Sequence, residues 1–190
     1  MLDGISMATA STLRLHVKPV SSAGSTTIQQ VLSSTICPNK FTVVARAVDF
    51  FPFLLEDACI LRCTKCKVDV HPLLQGCPMC DDMMGTHCKW FYCLYIRLKD
   101  NKDKDITLSL CGKECSFLQD VEPADFRYDA AAFDRFLAKL TPVLGNLREV
   151  HEAWSKNEEK DIDSPLMRFT FESWNVGDGR GYGLLGYASL

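Results

Sequence analysis

The chain has 190 residues, of which 47% are hydrophobic, and it carries a formal net charge of −3. The hydrophobic fraction is enough for a packed core and excludes a wholly disordered chain. The negative net charge argues against a domain whose main role is to bind nucleic-acid phosphates. Runs of eighteen or more apolar residues are absent from the sequence, so we expect no membrane span.

The first 25 residues are rich in Ser, Thr and Ala, and we expect a partly ordered N-terminal extension in which residues 13–20 could form a short strand. Thr26 followed by Gln29 has the form of a capping box and predicts a short helix over residues 27–33. FTVVARAVDFFP, residues 41–52, is β-branched and aromatic and ends in proline, which predicts the first strand of a sheet.

Two Cys-x-x-Cys pairs follow in CTKCKVDVHPLLQGCPMC, residues 63–80. The sequence shows no secretory signal, and paired motifs of this kind then more often bind metal than form disulfides. Zinc prefers four soft ligands in a tetrahedron, and two facing turns would complete that shell with no open position. We therefore predict a structural zinc site whose ligands are Cys63, Cys66, Cys77 and Cys80. A set of merely buried thiols, or a redox pair, is the less favoured alternative.

We expect ordinary structural roles for several other side chains in this part of the chain. We expect loop or core roles, rather than metal ligation, for His71, His87 and Cys88. The acidic pair Asp81 and Asp82 is expected to be a solvated corner. Two further thiols fall within predicted strands, where buried unreactive cysteines are common, namely Cys93 and Cys111.

The rest of the chain alternates between strand and helix patterns. Two strands, 89–100 and 106–112, form a predicted hairpin, and DAAAFDRFLAKL at 129–140 predicts a helix that Asp129 caps and Pro142 interrupts. A second amphipathic stretch covers 144–156, the strand 165–176 alternates apolar and polar residues, and YGLLGYASL predicts a last strand.

This order predicts an all-β dominated (α+β) fold. Five strands with a helix between the third and fourth are the order of an OB-fold, a small five-stranded Greek-key barrel. The zinc knuckle, residues 59–88, is then an insertion between the first two strands.

The sequence offers little support for an enzyme. It contains no G-x-S-x-G, Walker or H-E-x-x-H motif, and its glycine-rich GDGRGYG lies between two predicted strands as a hairpin turn. We therefore expect no enzymatic activity.

Three pieces in one order carry a family resemblance: the strand end AVDFFP, the Cys-x-x-Cys pairs, and the aromatic strand PLMRFTFESWNV. Over residues 26–190 the chain resembles the C-terminal OB domain of the telomere end-protection (protection of telomeres, Pot) family. The resemblance implies an OB barrel, and some members carry zinc on two such pairs with a resolvase-like module between them. Here only ten residues separate Cys66 from Cys77, so that module is absent.

The resemblance also implies a place in the cell and a partner. It implies that the chain is a fragment of a nuclear protein of chromosome telomeres, whose single-stranded DNA is bound by more N-terminal OB domains. This domain would dock the shelterin bridging partner of the Tpz/TPP type, and so support chromosome-end protection and telomerase regulation. Apolar residues that could serve as contacts, which the resemblance does not itself define, are Phe51, Phe53, Leu144, Leu147 and Trp154.

Two other functions stay open. A zinc-containing OB domain could bind single-stranded DNA directly, like the C-terminal domain of the replication protein A large subunit, with Trp90, Tyr92, Tyr95, Arg97 and Lys99 as contacts. Against this, strand alternation assigns Trp90, Tyr92, Leu94 and Ile96 to one face that looks like barrel interior. The third possibility is a purely structural zinc domain without a partner.

Overall fold

The computed structural model describes residues 26–74, 76–112 and 116–190. The N-terminal extension expected at 1–25, with its possible strand at 13–20, lies outside the described residues. Within the described part of the chain, no helix is long and apolar enough to cross a membrane.

The described residues form a mostly β structure with few helices, consistent with an OB-like fold. The strands are β1 (Asn39–Phe51), β2 (Cys59–Cys63), β3 (Cys88–Lys99), β4 (Asp105–Gly112), β5 (Met167–Val176) and β6 (Gly179–Ser189). The α-helices are α1 (Ile28–Ser33), α2 (Ala130–Leu144) and α3 (Leu147–Ser155), and short 3-10 turns lie at Leu55–Asp57 and Ser116–Leu118.

The strands form one sheet in the order β1-β5-β6-β4-β3-β2, with an additional pairing of β1 with β3. Residues 39–45 of β1 pair with β5, whereas residues 46–51 pair with β3. The pairings of β1, β5, β6, β4 and β3 therefore form a closed circuit, and β2 lies outside it on the free edge of β3.

The sheet has six strands in the described residues, so the expected count of five was wrong. The additional strand is β2, whose sequence CILRC was assigned to the cysteine insertion. These residues pair with β3 from Cys59 opposite Tyr92 to Cys63 opposite Cys88. The cysteine loop therefore connects β2 to β3, instead of following β1 directly.

The core lies between the inner faces of the strands and the helices. Alternation along β5 buries Met167, Phe169, Phe171 and Ser173. On β3 the alternating residues Tyr92, Leu94 and Ile96 are buried and Trp90 packs against the core, which confirms the interior face predicted for this strand. Helix α2 covers the core with Phe136, Leu140 and Val143.

Both predicted helix starts involve a side-chain cap. The Asp129 carboxylate accepts a hydrogen bond from the Ala132 backbone N–H at 2.9 Å, as predicted for α2. At α1 the capping box is present one residue later than predicted, between Thr27 and Gln30.

The expected interruption at Pro142 was wrong, because α2 continues to Leu144. Pro142 has no backbone N–H to donate to the carbonyl of Ala138, so the helix lacks one hydrogen bond at this point. Val143 and Leu144 bury their side chains in the core, and this packing favours the last turn.

Candidate metal centre and aromatic surface

The four cysteines of the two Cys-x-x-Cys motifs meet beyond the ends of β2 and β3. The sulfur atoms of Cys63, Cys66, Cys77 and Cys80 all lie within 4.8 Å of one another. The Sγ atoms of Cys63 and Cys80 are 3.8 Å apart. In a tetrahedron with metal–sulfur bonds of about 2.3 Å, neighbouring sulfurs are roughly 3.8 Å apart. The cluster is therefore of the right size to hold a metal ion.

The first turn of the cluster is built by backbone hydrogen bonds. The Lys67 N–H donates to the Cys63 carbonyl at 2.8 Å. The Cys66 N–H donates to the Cys63 sulfur at 3.4 Å. These bonds point the two thiols of this turn toward the same centre.

The second turn, which contains Cys77 and Cys80, is also built by backbone hydrogen bonds. Cys77 and Asp82 exchange two backbone hydrogen bonds of 3.0 and 3.2 Å. The residue after the last cysteine of each motif has a positive φ, 61° at Lys67 and 53° at Asp81. Both turns therefore close with the same left-handed step, and the two halves of the cluster are locally alike.

Asp82 has a structural role that the expectation of a solvated corner missed. Its carboxylate accepts backbone N–H groups of His87 at 2.7 Å and Thr86 at 3.0 Å. These bonds, that of His87 above all, hold the pKa of the Asp82 carboxyl below its usual range. Asp82 thus ties the second cysteine turn to the segment that enters β3.

The thiols of the cluster do not ionise equally. The backbone N–H of Cys66 is the largest influence lowering the pKa of Cys63 to about 7. Loss of water, followed by hydrogen bonds with Cys66 and Cys63, raises the pKa of Cys80 to about 12. One thiolate therefore disfavours the next, and a cation at the centre would make several thiolates compatible. Four sulfur donors suit a soft or borderline metal.

Within the described residues, neither His71, His87 nor Cys88 belongs to the group of four. The His71 Nδ1 atom accepts the Leu73 N–H at 3.2 Å, and the His87 carbonyl accepts from Thr64. Cys88 packs against the cluster as a partly buried neighbour. These contacts agree with the loop and core roles expected for the three residues.

A second feature is an exposed group of side chains around the end of β1. Phe51, Phe53 and Trp154 expose 63%, 43% and 43% of their surface. Leu54 and Tyr95 are also exposed, and the Tyr95 ring lies 6.5 Å from that of Phe51. We call the five side chains Phe51, Phe53, Leu54, Tyr95 and Trp154 the aromatic surface.

Buried His151 of α3 supports the aromatic surface from beneath. Its ring stacks on those of Phe50 at 4.0 Å, Phe53 at 4.7 Å and Trp154 at 5.2 Å. Its Nε2 lies 2.9 Å from Asp49 Oδ1, and its Nδ1 lies 3.2 Å from the Phe53 carbonyl. The ring is therefore held in place by stacking and by polar contacts at both nitrogens, and sequence reasoning had assigned it no role.

Leu144 and Leu147 lie elsewhere than expected for contact residues. Their exposed fractions are 3% and 0%, because the apolar faces of α2 and α3 pack on the sheet. Leu144 only contributes to the wall of a groove of about 270 Å³ along these helices. These two leucines therefore have almost no surface to offer a partner, and the sequence could not tell which apolar helix positions face the core.

The described residues therefore belong to the class of mostly β, OB-like folds. The fold is similar to a chain in a crystal structure of fission yeast Pot1 and Tpz1, with a TM-score of 0.63 and 16% identity over 88% of this chain and 92% of that chain. This likeness confirms, for the fold, the resemblance found in the sequence.

A replication protein A heterotrimer bound to ssDNA also matches, with a TM-score of 0.45 and 16% identity over 85% of this chain and 34% of that chain. Comparisons with protein-family models and with curated proteins found no match.

Replacing Cys63 by Ser should remove metal and lower stability, because the energy of metal binding is folding energy in a site of this kind. We expect the melting temperature to fall by about 4–8 °C, which corresponds to about 2 kcal/mol for a domain of this size. Calorimetry and elemental analysis measure the two effects. Cys37→Ser, outside the cluster, is the matched control. Metal-free wild-type protein, or unchanged metal content in Cys63→Ser, would contradict this assignment.

Replacing Gly76 by Ala should loosen the second cysteine turn. A Cβ atom there would lie 1.6 Å from the Asp82 carbonyl oxygen, so the backbone has to shift. Such overpacking costs about 1–3 kcal/mol, and we expect faster metal loss to a chelator as well as lower stability. Gly186→Ala is the control, because a Cβ at Gly186 meets nothing within 4 Å. Equal metal-release rates for the two variants would show that the turn tolerates the shift.

Proposed function

We propose that residues 26–190 form a non-enzymatic protein-interaction domain of a telomere single-strand-binding protein. In this proposal the closed circuit of five strands is an OB barrel. The domain docks the shelterin bridging partner, of the Tpz/TPP type, at nuclear telomeres. It thereby supports chromosome-end protection and telomerase regulation, while other domains of the same protein contact telomeric single-stranded DNA.

The aromatic surface is the observation that carries the proposal. Large exposed rings are the usual anchors of protein interfaces, where a few of them supply most of the binding energy. Here the rings of Phe53 and Trp154 stack on buried His151, which limits their motion before binding. A preorganised anchor loses less conformational entropy when a partner covers it.

The fold likeness supports the same partner class. The structure that shares this fold contains Pot1 together with Tpz1, and the match covers 92% of the matched chain. The formal charge of −3 also suits a protein partner better than a phosphate backbone.

We further propose that the metal is zinc and that its role is structural. Cys63, Cys66, Cys77 and Cys80 would fill all four positions of a tetrahedral ion, leaving none for a substrate. The site lies beyond the end of β3 at Cys88, whereas Tyr95 of the aromatic surface is seven residues further along that strand. At about 3.3 Å per residue this separation is roughly 23 Å, so the metal acts on the interaction through folding alone.

Truncating the aromatic surface should weaken binding to the bridging protein without unfolding the domain. We expect Phe51→Ala and Trp154→Ala each to raise Kd by about 5- to 30-fold, the effect of losing about 1–2 kcal/mol at an interface anchor. Isothermal titration calorimetry with the bridging protein from the same organism measures this change.

The matched control is Val176→Ala, an exposed apolar residue beyond the opposite end of β1. Melting temperatures within a few degrees of wild type keep the comparison valid. If all three variants bind as tightly as wild type, the aromatic surface is not the docking site. If the wild-type domain does not bind the bridging protein, the partner assignment itself is wrong.

A salt titration distinguishes direct DNA binding from the proposed docking of a protein partner. We expect the isolated domain to bind a telomeric single strand only weakly at 0.15 M salt, because the inner rings of β3 are in the core. Fluorescence anisotropy of a labelled oligonucleotide between 50 and 200 mM salt measures affinity and slope. Tight binding with a steep decrease on adding salt would favour the DNA-binding alternative.

A further inference from the structure

Cys93 and Cys111 face each other across neighbouring strands on the outer face of the sheet. Cys93 of β3 is directly opposite Cys111 of β4 in the strand register. Cys93 is half-buried and Cys111 is exposed, and both are free thiols. The expectation that both are buried was therefore wrong for Cys111, because its side chain points away from the core.

The backbone pattern brings this pair close together. The Cys93 N–H donates to the Ala58 carbonyl at 2.8 Å, on the side away from β4. A residue in an antiparallel strand directs its N–H and C=O to the same side, so Cys93 and Cys111 form a non-hydrogen-bonded pair. Cα atoms of such pairs are roughly 4.5 Å apart, within the range of about 4.4–6.8 Å found in disulfides.

The surroundings of the two sulfurs differ. Burial, together with the charge and hydrogen bond of Cys111, raises the pKa of Cys93. The hydrogen bond to Cys111 also raises the pKa of Tyr95 to about 12. The Cys111 sulfur donates to the Leu94 carbonyl at 3.6 Å, which holds it beside β3. Because Cys111 is exposed and Cys93 is half-buried, Cys111 is the sulfur that an oxidant meets first, and Cys93 is the adjacent second thiol.

We propose that Cys93 and Cys111 form a reversible cross-strand disulfide when the protein meets a peroxide. The Cys111 thiol loses its proton as its sulfur attacks a peroxide oxygen, the O–O bond breaks, and the proton goes to the leaving hydroxide, so that a sulfenic acid and one water form. The Cys93 sulfur then gives up its proton and attacks the Cys111 sulfur, the S–O bond breaks, and a second water leaves. The two thiols lose two electrons in total, and hydrogen peroxide gains them as it becomes two waters.

Cys59 and the four thiols of the cluster are less suited to this chemistry. Burial raises the pKa of Cys59 to about 12, which removes its thiolate at neutral pH. The four thiols of the cluster would be shielded by a bound ion. The disulfide is independent of any docking partner, so its test separates cleanly from that of the proposed function.

Peptide mapping of the metal-loaded chain tests the proposal, because trypsin places each of the two cysteines in its own peptide. Cys93 lies in WFYCLYIR, residues 90–97, and Cys111 in DITLSLCGK, residues 105–113. After treatment with hydrogen peroxide and blocking of free thiols, mass spectrometry should find these two peptides joined with the loss of two hydrogen atoms. Dithiothreitol should separate them again.

Three variants complete the design. Cys111→Ser should abolish the joined peptide, whereas Cys37→Ser should leave its yield unchanged. Cys93→Ser should leave a sulfenic acid at Cys111 that dimedone labels. The proposal is overturned if wild-type protein gives no joined peptide, if Cys111 pairs with another cysteine, or if Cys93→Ser shows no label at Cys111.

Discussion

Strand β1 changes partner halfway along its length, and the rest of the structure depends on that change. Its first half pairs with β5 and its second half with β3, which closes the circuit of strands. A register shift between Ala47 and Asp49 follows closely, within the half that pairs with β3, and Val48 is the additional residue. A bulge of this kind bends and twists a strand, which lets one strand serve two neighbours. Small Ala45 and Ala47 lie on the inner side beside the bend.

The same bulge decides which side chains reach the surface. Alternation buries Phe41, Val43, Ala45 and Ala47, and without a shift it would bury residues 49 and 51 next. The additional residue reverses the faces, so Phe50 is buried and Phe51 is exposed. It also brings Asp49 to the ring of His151, which stacks under Phe53 and Trp154. Sheet closure and the aromatic surface therefore have one local cause.

The sequence predicted those features that depend on local pattern. Strand alternation located β3, β4 and β5, and the Cys-x-x-Cys spacing identified four sulfurs that the structure brings together. The features that the sequence did not predict depend on packing between distant segments. The strand β2 has five residues with no clear alternation, and the apolar positions of 144–156 do not show whether Leu147 meets the core or a partner. The spacing of three between Ala47 and Phe50 was a readable sign of the bulge, because a regular strand has a period of two.

The candidate metal centre and the aromatic surface draw on different parts of the fold. Cys63, Val70 and Cys77 form a small cluster of buried residues separate from the main core. The cluster joins the rest through β2, which pairs with β3 outside the closed circuit. Phe51 and Trp154, by contrast, lie on β1 and α3, which pack on the main core. Opening of the cysteine turns would therefore first free β2 and the adjacent end of β3, while β1 keeps both of its partners. The cysteine turns thus determine the stability of one edge of the sheet, and the bend in β1 determines which aromatic side chains are exposed.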